Sequence, residues 1–284
     1  MLRREVLKRL GAAAIVPAMG SWPERLASLG APPMTDRPME KVGIQLYSVR
    51  GLMAQDFDGT LRALAGIGYR EVEFAGWHGR TPAQVKAALA AAGLAAPSAH
   101  VDLAAFRADA AKLCGEHAAA GHQTVVIAWM LPAERKTLDD WKRRVEEFGT
   151  FAEAAKRAGL RFAYHNHDFE FVPIDGTVPF ELLAAGTDPR VVQLELDLYW
   201  MTVAGVDPLP WMRRWPGRVS MVHVKDRSAQ GQMVSVGSGT ISFDSLLREA
   251  RRLGLRHAFV EHDNPPDPMG FARASYDWLS RRDV

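Results

Sequence analysis

The sequence predicts an α/β protein whose strands and helices close into a single-domain (β/α)8 barrel. From Val42 onward, short β-branched and aromatic runs alternate with helical patterns, as expected for repeated βα units feeding a parallel sheet. The strand candidates number eight. They occupy about 250 residues, the ordinary size of such a barrel, in which every strand is buried on both faces. A doubly wound open sheet is the runner-up. It needs a topological switch point, and no Gly-x-Gly-x-x-Gly follows the first strand.

In chain order the expected strands are residues 42–47, 71–75, 97–101, 124–129, 161–165, 191–197, 219–223 and 258–261. Helical patterns lie between them. The longest, residues 137–159, ends at a glycine suited to a C-cap. In residues 243–253, Phe243, Leu246, Leu247, Ala250 and Leu253 recur at the spacing of one buried helical face. Gly237 and Gly239 (VGSGT) come too late for a dinucleotide loop and read as a tight turn after strand seven.

At 284 residues, with 48% hydrophobic and 24% charged side chains, the composition excludes disordered, collagenous and disulfide-scaffold classes. The single cysteine, Cys114, can form neither an intramolecular disulfide nor a cysteine metal cluster. It reads as a small apolar helix residue, and a metal here needs His, Asp and Glu ligands. No apolar run approaches the ~20 residues that span a bilayer.

Residues 1–34 read as an export leader, with residues 35–284 as the folded domain. A basic start is followed by the apolar stretch GAAAIVPAMG and a proline-containing region. Arg3-Arg4 before Val6, Leu7 and Lys8 resembles the twin-arginine (Tat) signal, which predicts engagement of the Tat export machinery and a periplasmic or exported location. The alternative is an amphipathic helix with two incidental arginines. These 34 residues carry five basic and two acidic side chains, leaving 30 basic against 31 acidic in the remainder. Such a body lacks the basic excess of a nucleic-acid binder, so no nucleic-acid partner is expected.

Barrel enzymes place their reacting groups at the C-terminal ends of strands. Strand three ends at His100, strand five at His165 and His167, strand six at Asp197, strand seven at His223, and strand eight at Glu261, His262 and Asp263; strand two leads to Trp77 and His78. Six of the nine histidines thus fall on one rim with acidic residues. Imidazole and carboxylate donors from separate rigid elements suit one divalent metal ion: Mn, Co, Zn or Mg. Taken singly, each of these residues is more often a hydrogen-bonded structural group, so the signal is the set. His117, His122 and His257 take the structural reading. Glu73, inside strand two, points into the barrel or pairs with a cation.

The segments YHNHDFEF (164–171), ELDLYW (195–200), HVKD (223–226) and VEHD (260–263) resemble the sugar phosphate isomerase/epimerase superfamily. This is the xylose isomerase-like TIM-barrel group, which also contains inosose dehydratases, ketose 3-epimerases and endonuclease IV. The similarity runs from Val42 to the C-terminus. It implies metal ligands after strands five to eight, with Asp197, His223 and Glu261 in the last three places. At strand five, where epimerases carry Glu, this chain has Tyr164 and His165. Glu170 is the first choice for that ligand and His165 its rival. The departure puts in doubt the scheme in which two metal-bound glutamates act as paired acid and base. The exported subset also resembles enzymes acting on 3-keto-glycosides, and barrels of the group commonly form homodimers.

The expected function is therefore a divalent-metal-dependent sugar isomerase or epimerase that abstracts a proton next to a carbonyl. Its small-molecule substrate is an unphosphorylated sugar or keto-sugar. A 3-keto-glycoside lyase or hydratase is the alternative on the same site, and a non-catalytic periplasmic sugar-binding protein is the rival of another class. Glu261 or Glu170 is the expected base, His167 or His100 the conjugate acid, and Lys225 the partner of the developing oxyanion. An ion pair with Asp226 or another rim carboxylate is the competing role for Lys225. His100, His165, Trp200 and Trp77 are expected around the substrate. Trp129 and Trp211 are further aromatic candidates, with core packing as the safer reading for any one tryptophan.

Overall fold

The structure of the protein, a computed structural model, describes residues 42–282. The leader expected at residues 1–34 lies outside them. The barrel strands are β1 (Gly43–Gln45), β2 (Glu71–Ala75), β3 (Ala95–Val101), β4 (Thr124–Ile127), β5 (Arg161–His165), β6 (Val192–Asp197), β7 (Val219–Val224) and β8 (His257–Val260). Each pairs in parallel with its sequence neighbours, and β8 closes on β1 with Phe259 opposite Gly43.

Two strand ends differ from expectation. The first strand stops at Gln45, and the chain turns into a short 3-10 helix, Leu46–Val49, because the Gln45 side chain accepts a hydrogen bond from the Tyr47 amide. The fourth stops at Ile127, so Trp129 lies on the rim, 48% exposed.

The long helix is Leu138–Arg157, capped by the Thr137 hydroxyl, with Gly159 beyond its end at φ +78°. Helix Phe243–Arg252 buries Phe243, Leu246, Leu247 and Ala250. Cys114 is buried in helix Ala110–Ala120. The glycines of VGSGT wrap a carboxylate: Asp226 accepts hydrogen bonds from the Gly237, Gly239 and Ile241 amides, with Gly237 at φ +86°.

The lumen is layered. Val126, Ala163, Met221 and Phe259 form a dry apolar floor. Phe259 fits because β1 offers Gly43, where a Cβ would lie 2.4 Å from the phenyl ring. Charged and imidazole side chains fill the space above and open toward the C-terminal rim.

Candidate metal centre and active site

Side chains two residues apart on a strand share a face. On β6, Asp197 and Glu195 are therefore both directed to one side, and on β7 His223 is followed by Lys225. Asp197 also caps helix Leu198–Val203: its Oδ1 accepts from the Trp200 amide at 3.0 Å. Asn166 ties the ends of β5 and β6, its Oδ1 accepting from the Asp197 amide at 3.1 Å. The remaining Asp197 oxygen, Oδ2, is thereby aimed at the Lys225 ammonium, 2.9 Å away, and at His165 Nε2, 3.7 Å away.

Lys225 is the hub of the rim. Its Nζ lies 2.7 Å from Glu261 Oε2 and 2.8 Å from Asp263 Oδ1 as well. The Asp263 carbonyl is in turn held by Arg50 at 2.7 Å. Burial works against the ammonium, but the charges of Asp197, Glu261 and Asp263 hold the Lys225 pKa well above its usual value. Asp197 is pushed up to about 6, mainly by burial. Burial also raises Glu261, yet Lys225 and His223 outweigh it and keep the carboxyl well below the ordinary range.

His223 joins the rim to a deeper layer. Its Nδ1 is 2.6 Å from Glu261 Oε2 and its Nε2 is 2.6 Å from Glu73 Oε2. Around it, His100 Nε2 lies 2.8 Å from Glu195 Oε2 and 3.3 Å from Glu73 Oε2, and His165 Nδ1 lies 3.3 Å from Glu195 Oε2. Gln45 donates to Glu73 at 2.8 Å. Burial disfavours the charged rings, but the carboxylates prevail at His100 and His223, whose pKa values are raised; His165 is lowered to about 3 by burial and by the neighbouring His223. Glu73 is raised by burial and by Glu195, whereas Glu195 is held well below its usual value by His223, His100 and His165 despite its own burial.

The structure brings Asp197, His223 and Glu261 together, with one donor atom from each within 4.8 Å of the others. This carboxylate and imidazole set, buried at the mouth of a rigid barrel, fits a divalent cation. Lys225, His165 and His100 lie beside it. His167 stands at the rim with its Nδ1 buried and without a hydrogen-bond partner among the described residues, its ring between Trp129, Phe169 and Trp200. Burial keeps that imidazole well below its usual pKa. Trp200 reaches the site, with Lys225 Nζ 6.0 Å from its ring.

Two expected residues go elsewhere. Glu170, the first choice for the strand-five ligand, stands outside this cluster: its carboxyl accepts from the Tyr164 hydroxyl at 2.6 Å and from the His167 amide at 2.8 Å. Tyr164 alternates with His165 and packs on Phe148 behind the barrel wall, so Glu170 is drawn away from the lumen, and burial pushes it up to about 8. His165 takes the lumen position. Trp77 leaves the rim through Gly76 (φ +83°) and His78 (φ +49°), and its ring packs on His117 at 4.6 Å. Trp211 packs on Phe180 in the core. Lys225 pairs with rim carboxylates rather than with Asp226, whose oxygens accept the backbone amides described above.

Sequence reasoning missed Glu195, assigned no role to Gln45 and left Glu73 undecided. The signal for Glu195 was present: if Asp197 faces the lumen at the end of β6, the residue two before it does too.

A family model for the xylose isomerase-like TIM barrel matches residues 61–282. The chain belongs to that family. A solved sugar phosphate isomerase/epimerase from Parabacteroides distasonis superposes with a TM-score of 0.75 at 27% identity, covering 87% of this chain and 97% of its own. A 3-keto-D-glucoside 4-epimerase from E. coli shares the fold, with a TM-score of 0.64 at 17% identity over 85% of this chain and 99% of its own. An inosose dehydratase from Bacillus licheniformis is 26% identical over 171 residues, 51% of this chain and 55% of that protein. The chain spans about half, or less, of the length of the curated relatives it matches. Members of the family thus include sugar-modifying enzymes, among them isomerases, epimerases and dehydratases.

Proposed function

We propose that the protein is a divalent-metal-dependent isomerase or epimerase that removes the proton next to the carbonyl of an unphosphorylated sugar or keto-sugar. The observation that carries this reading is the convergence of Asp197, His223 and Glu261 at the barrel mouth, with Lys225 among them. A cation held by these three side chains, with His165 beside them, would polarise the carbonyl and an adjacent hydroxyl.

The remaining chemistry belongs to the chain. Lys225, kept protonated by three carboxylates, faces negative charge as it develops on the substrate oxygen. His167 is a neutral imidazole whose Nδ1 has no hydrogen-bond partner among the described residues, so it can take the α-proton and return it on its own face to the neighbouring carbon, whereas inversion takes the new proton from a second donor on the opposite face. His100, partly open to the rim and held protonated by Glu73 and Glu195, is the proton donor. Trp129 and Trp200 offer flat faces for the sugar ring and exclude water.

Elimination is the second reading, favoured by the similarity to inosose dehydratase. It shares the first step, after which the group on the next carbon leaves with a proton from His100 or Lys225. A purely sugar-binding role would leave the cation donors unexplained.

The test is incubation of the metal-loaded protein with ketoses and 3-keto-glycosides in D2O. Deuterium at the carbon beside the carbonyl is expected, and no exchange on any substrate would refute proton abstraction. We also propose Tat-dependent export by residues 1–34 and action as a homodimer. The Arg3→Lys/Arg4→Lys chain should then stay in the cytoplasm, and gel filtration should give twice the chain mass.

A further inference from the structure

Asp197 and His167 come from different strands, yet the proposed reaction needs that carboxylate and that ring in a fixed relation. We propose that Asn166 is the positioning residue that sets it, clamping Asp197 to the turn that carries His167. The inference rests on the reading of the rim as a cation and proton-transfer site given above.

The backbone alone does not join the two. On its β7 side Asp197 is held in the ladder, opposite His223. On its β5 side the ladder ends with His165 opposite Glu195, two residues short of Asp197. There the strands part: Asp197 becomes the N-cap of helix Leu198–Val203, and the chain beyond His165 runs into the 3-10 turn Phe169–Phe171. Asn166, which is fully buried, closes the gap with its side chain. Its Oδ1 accepts from the Asp197 amide at 3.1 Å, while its Nδ2 donates to the Asp197 carbonyl at 3.4 Å and to the His167 carbonyl at 3.1 Å. The primary amide thus stands in for a missing peptide group.

The residue type follows from the bonding. An amide N–H can only donate, so Oδ1 must face Asp197 and both Nδ2 hydrogens are left for the two carbonyls. An aspartate here would set oxygen against both carbonyls. An apolar side chain of the same shape would leave the Asp197 amide buried and unpaired, which is costly.

Both ends of the clamp matter to the chemistry. With its backbone held by Asn166 and its Oδ1 held by the Trp200 amide, Asp197 has one oxygen, Oδ2, left to direct at the cation position. His167 has no polar tether on its Nδ1 among the described residues, and its ring rests on Phe169, Trp129 and Trp200. Its fixed points are therefore on the backbone: the amide on Glu170 Oε2 and the carbonyl on Asn166. A misplacement of about 1 Å in a reacting group costs on the order of 100-fold in rate. Outer partners that orient a metal ligand are worth about 10–100-fold in affinity or activity.

The experiment compares the full wild-type chain with Asn166→Ala and with Thr187→Ala. The second is a control that removes another buried tie, the hydroxyl bonded to the Leu183 carbonyl and to Arg218 ahead of β6. Manganese affinity is read by calorimetric titration, and kcat and KM by deuterium exchange at saturating manganese. Asn166→Ala should bind the cation at least about 10-fold more weakly and lower kcat at least about 10-fold, with KM within about threefold. Thr187→Ala should stay within about twofold on all three, although both variants lower the denaturant midpoint. Unchanged affinity and kcat in Asn166→Ala, or equal losses in Thr187→Ala, overturn the proposal. Weakened affinity with kcat intact at saturation overturns it too, because the link to His167 is then absent. Amide hydrogen exchange of the metal-free chain reads the clamp without cation or substrate: the Asp197 and His167 amides should both exchange faster in Asn166→Ala but not in Thr187→Ala, and an unmoved His167 amide contradicts the clamp. Asn166→Ser replaces Asn166→Ala if circular dichroism shows the latter unfolded. A wild-type chain that neither binds manganese nor exchanges α-protons refutes the proposed function, while the amide readout still decides the clamp.

Discussion

His117 and His122, packed behind the barrel wall, and His100 and His223, packed inside it, are all largely hidden from water, yet their titration is displaced in opposite directions. The outer pair share a hydrogen bond, Nδ1 to Nδ1 at 2.8 Å, among the rings of Phe74 and Trp77. Burial lowers them to about 4 and about 3, with His117 adding to the shift of His122. The inner two meet Glu73, Glu195 and Glu261, and those charges overcome the same desolvation. Burial therefore does not make a site: the carboxylates that share it decide whether an imidazole is inert packing or an ionisable group held in a charged cluster.

The largest expected effect comes from removing the inner carboxylate support. Glu261→Gln and His223→Ala should each lower the rate of α-proton exchange at least about 100-fold, the scale of losing a transition-state electrostatic partner. His122→Gln should stay within about twofold of wild type, since no substrate reaches that pair. An equal loss in His122→Gln would erase the distinction between the clusters.

Next comes the cost of unpairing charge. Lys225→Met leaves Asp197 and Glu261 buried without their ammonium, and denaturant unfolding should show a loss of about 3–5 kcal/mol. A change below about 1 kcal/mol would mean that the rim carboxylates do not depend on Lys225.

The outer pair should reveal itself in acid. Its rings are neutral in the folded chain, with pKa values below the unfolded value, so the unfolded state takes up protons first as pH falls. Their contribution to stability is thus intact above about pH 6.5 and is lost as pH falls toward 4 and then 3. For one ring the full loss is on the order of 3 kcal/mol. Melting temperatures measured from pH 7 to pH 4 should fall less steeply for His122→Gln than for wild type. At His100 and His223 the sign is reversed: their raised values stabilise the fold fully below the unfolded pKa, and this is lost as pH rises through the folded one. The smallest effect belongs to the surface. Asp188 and Arg190 pair in the open, and Arg190→Ala should leave the denaturant midpoint where it is in wild type.

The barrel was legible because buried parallel strands write β-branched runs at regular spacing, and all eight strands fall where those runs lie. The strand-end residues followed from the same rule: Asp197, His223 and Lys225 sit where strand ends meet the rim. Legibility stopped where periodicity stops. Glu170 lies in a 3-10 turn, Phe169–Phe171, whose direction no repeat announces, and the Tyr164 hydroxyl captured it. Trp77 lies between two left-handed residues, Gly76 and His78, that turn its loop outward. Glu195 was readable by alternation from Asp197. Glu73 needed the closed barrel, because its His223 partner arrives from β7, 150 residues further on, whereas Gln45 meets Glu73 across the adjacent β1–β2 pair.

The most direct test of the central claim is chelation during the deuterium-exchange assay. Exchange at the carbon beside the carbonyl should stop when divalent ions are stripped from the folded protein and return when one is added back. Exchange that continues undiminished in the stripped wild-type protein would contradict the account.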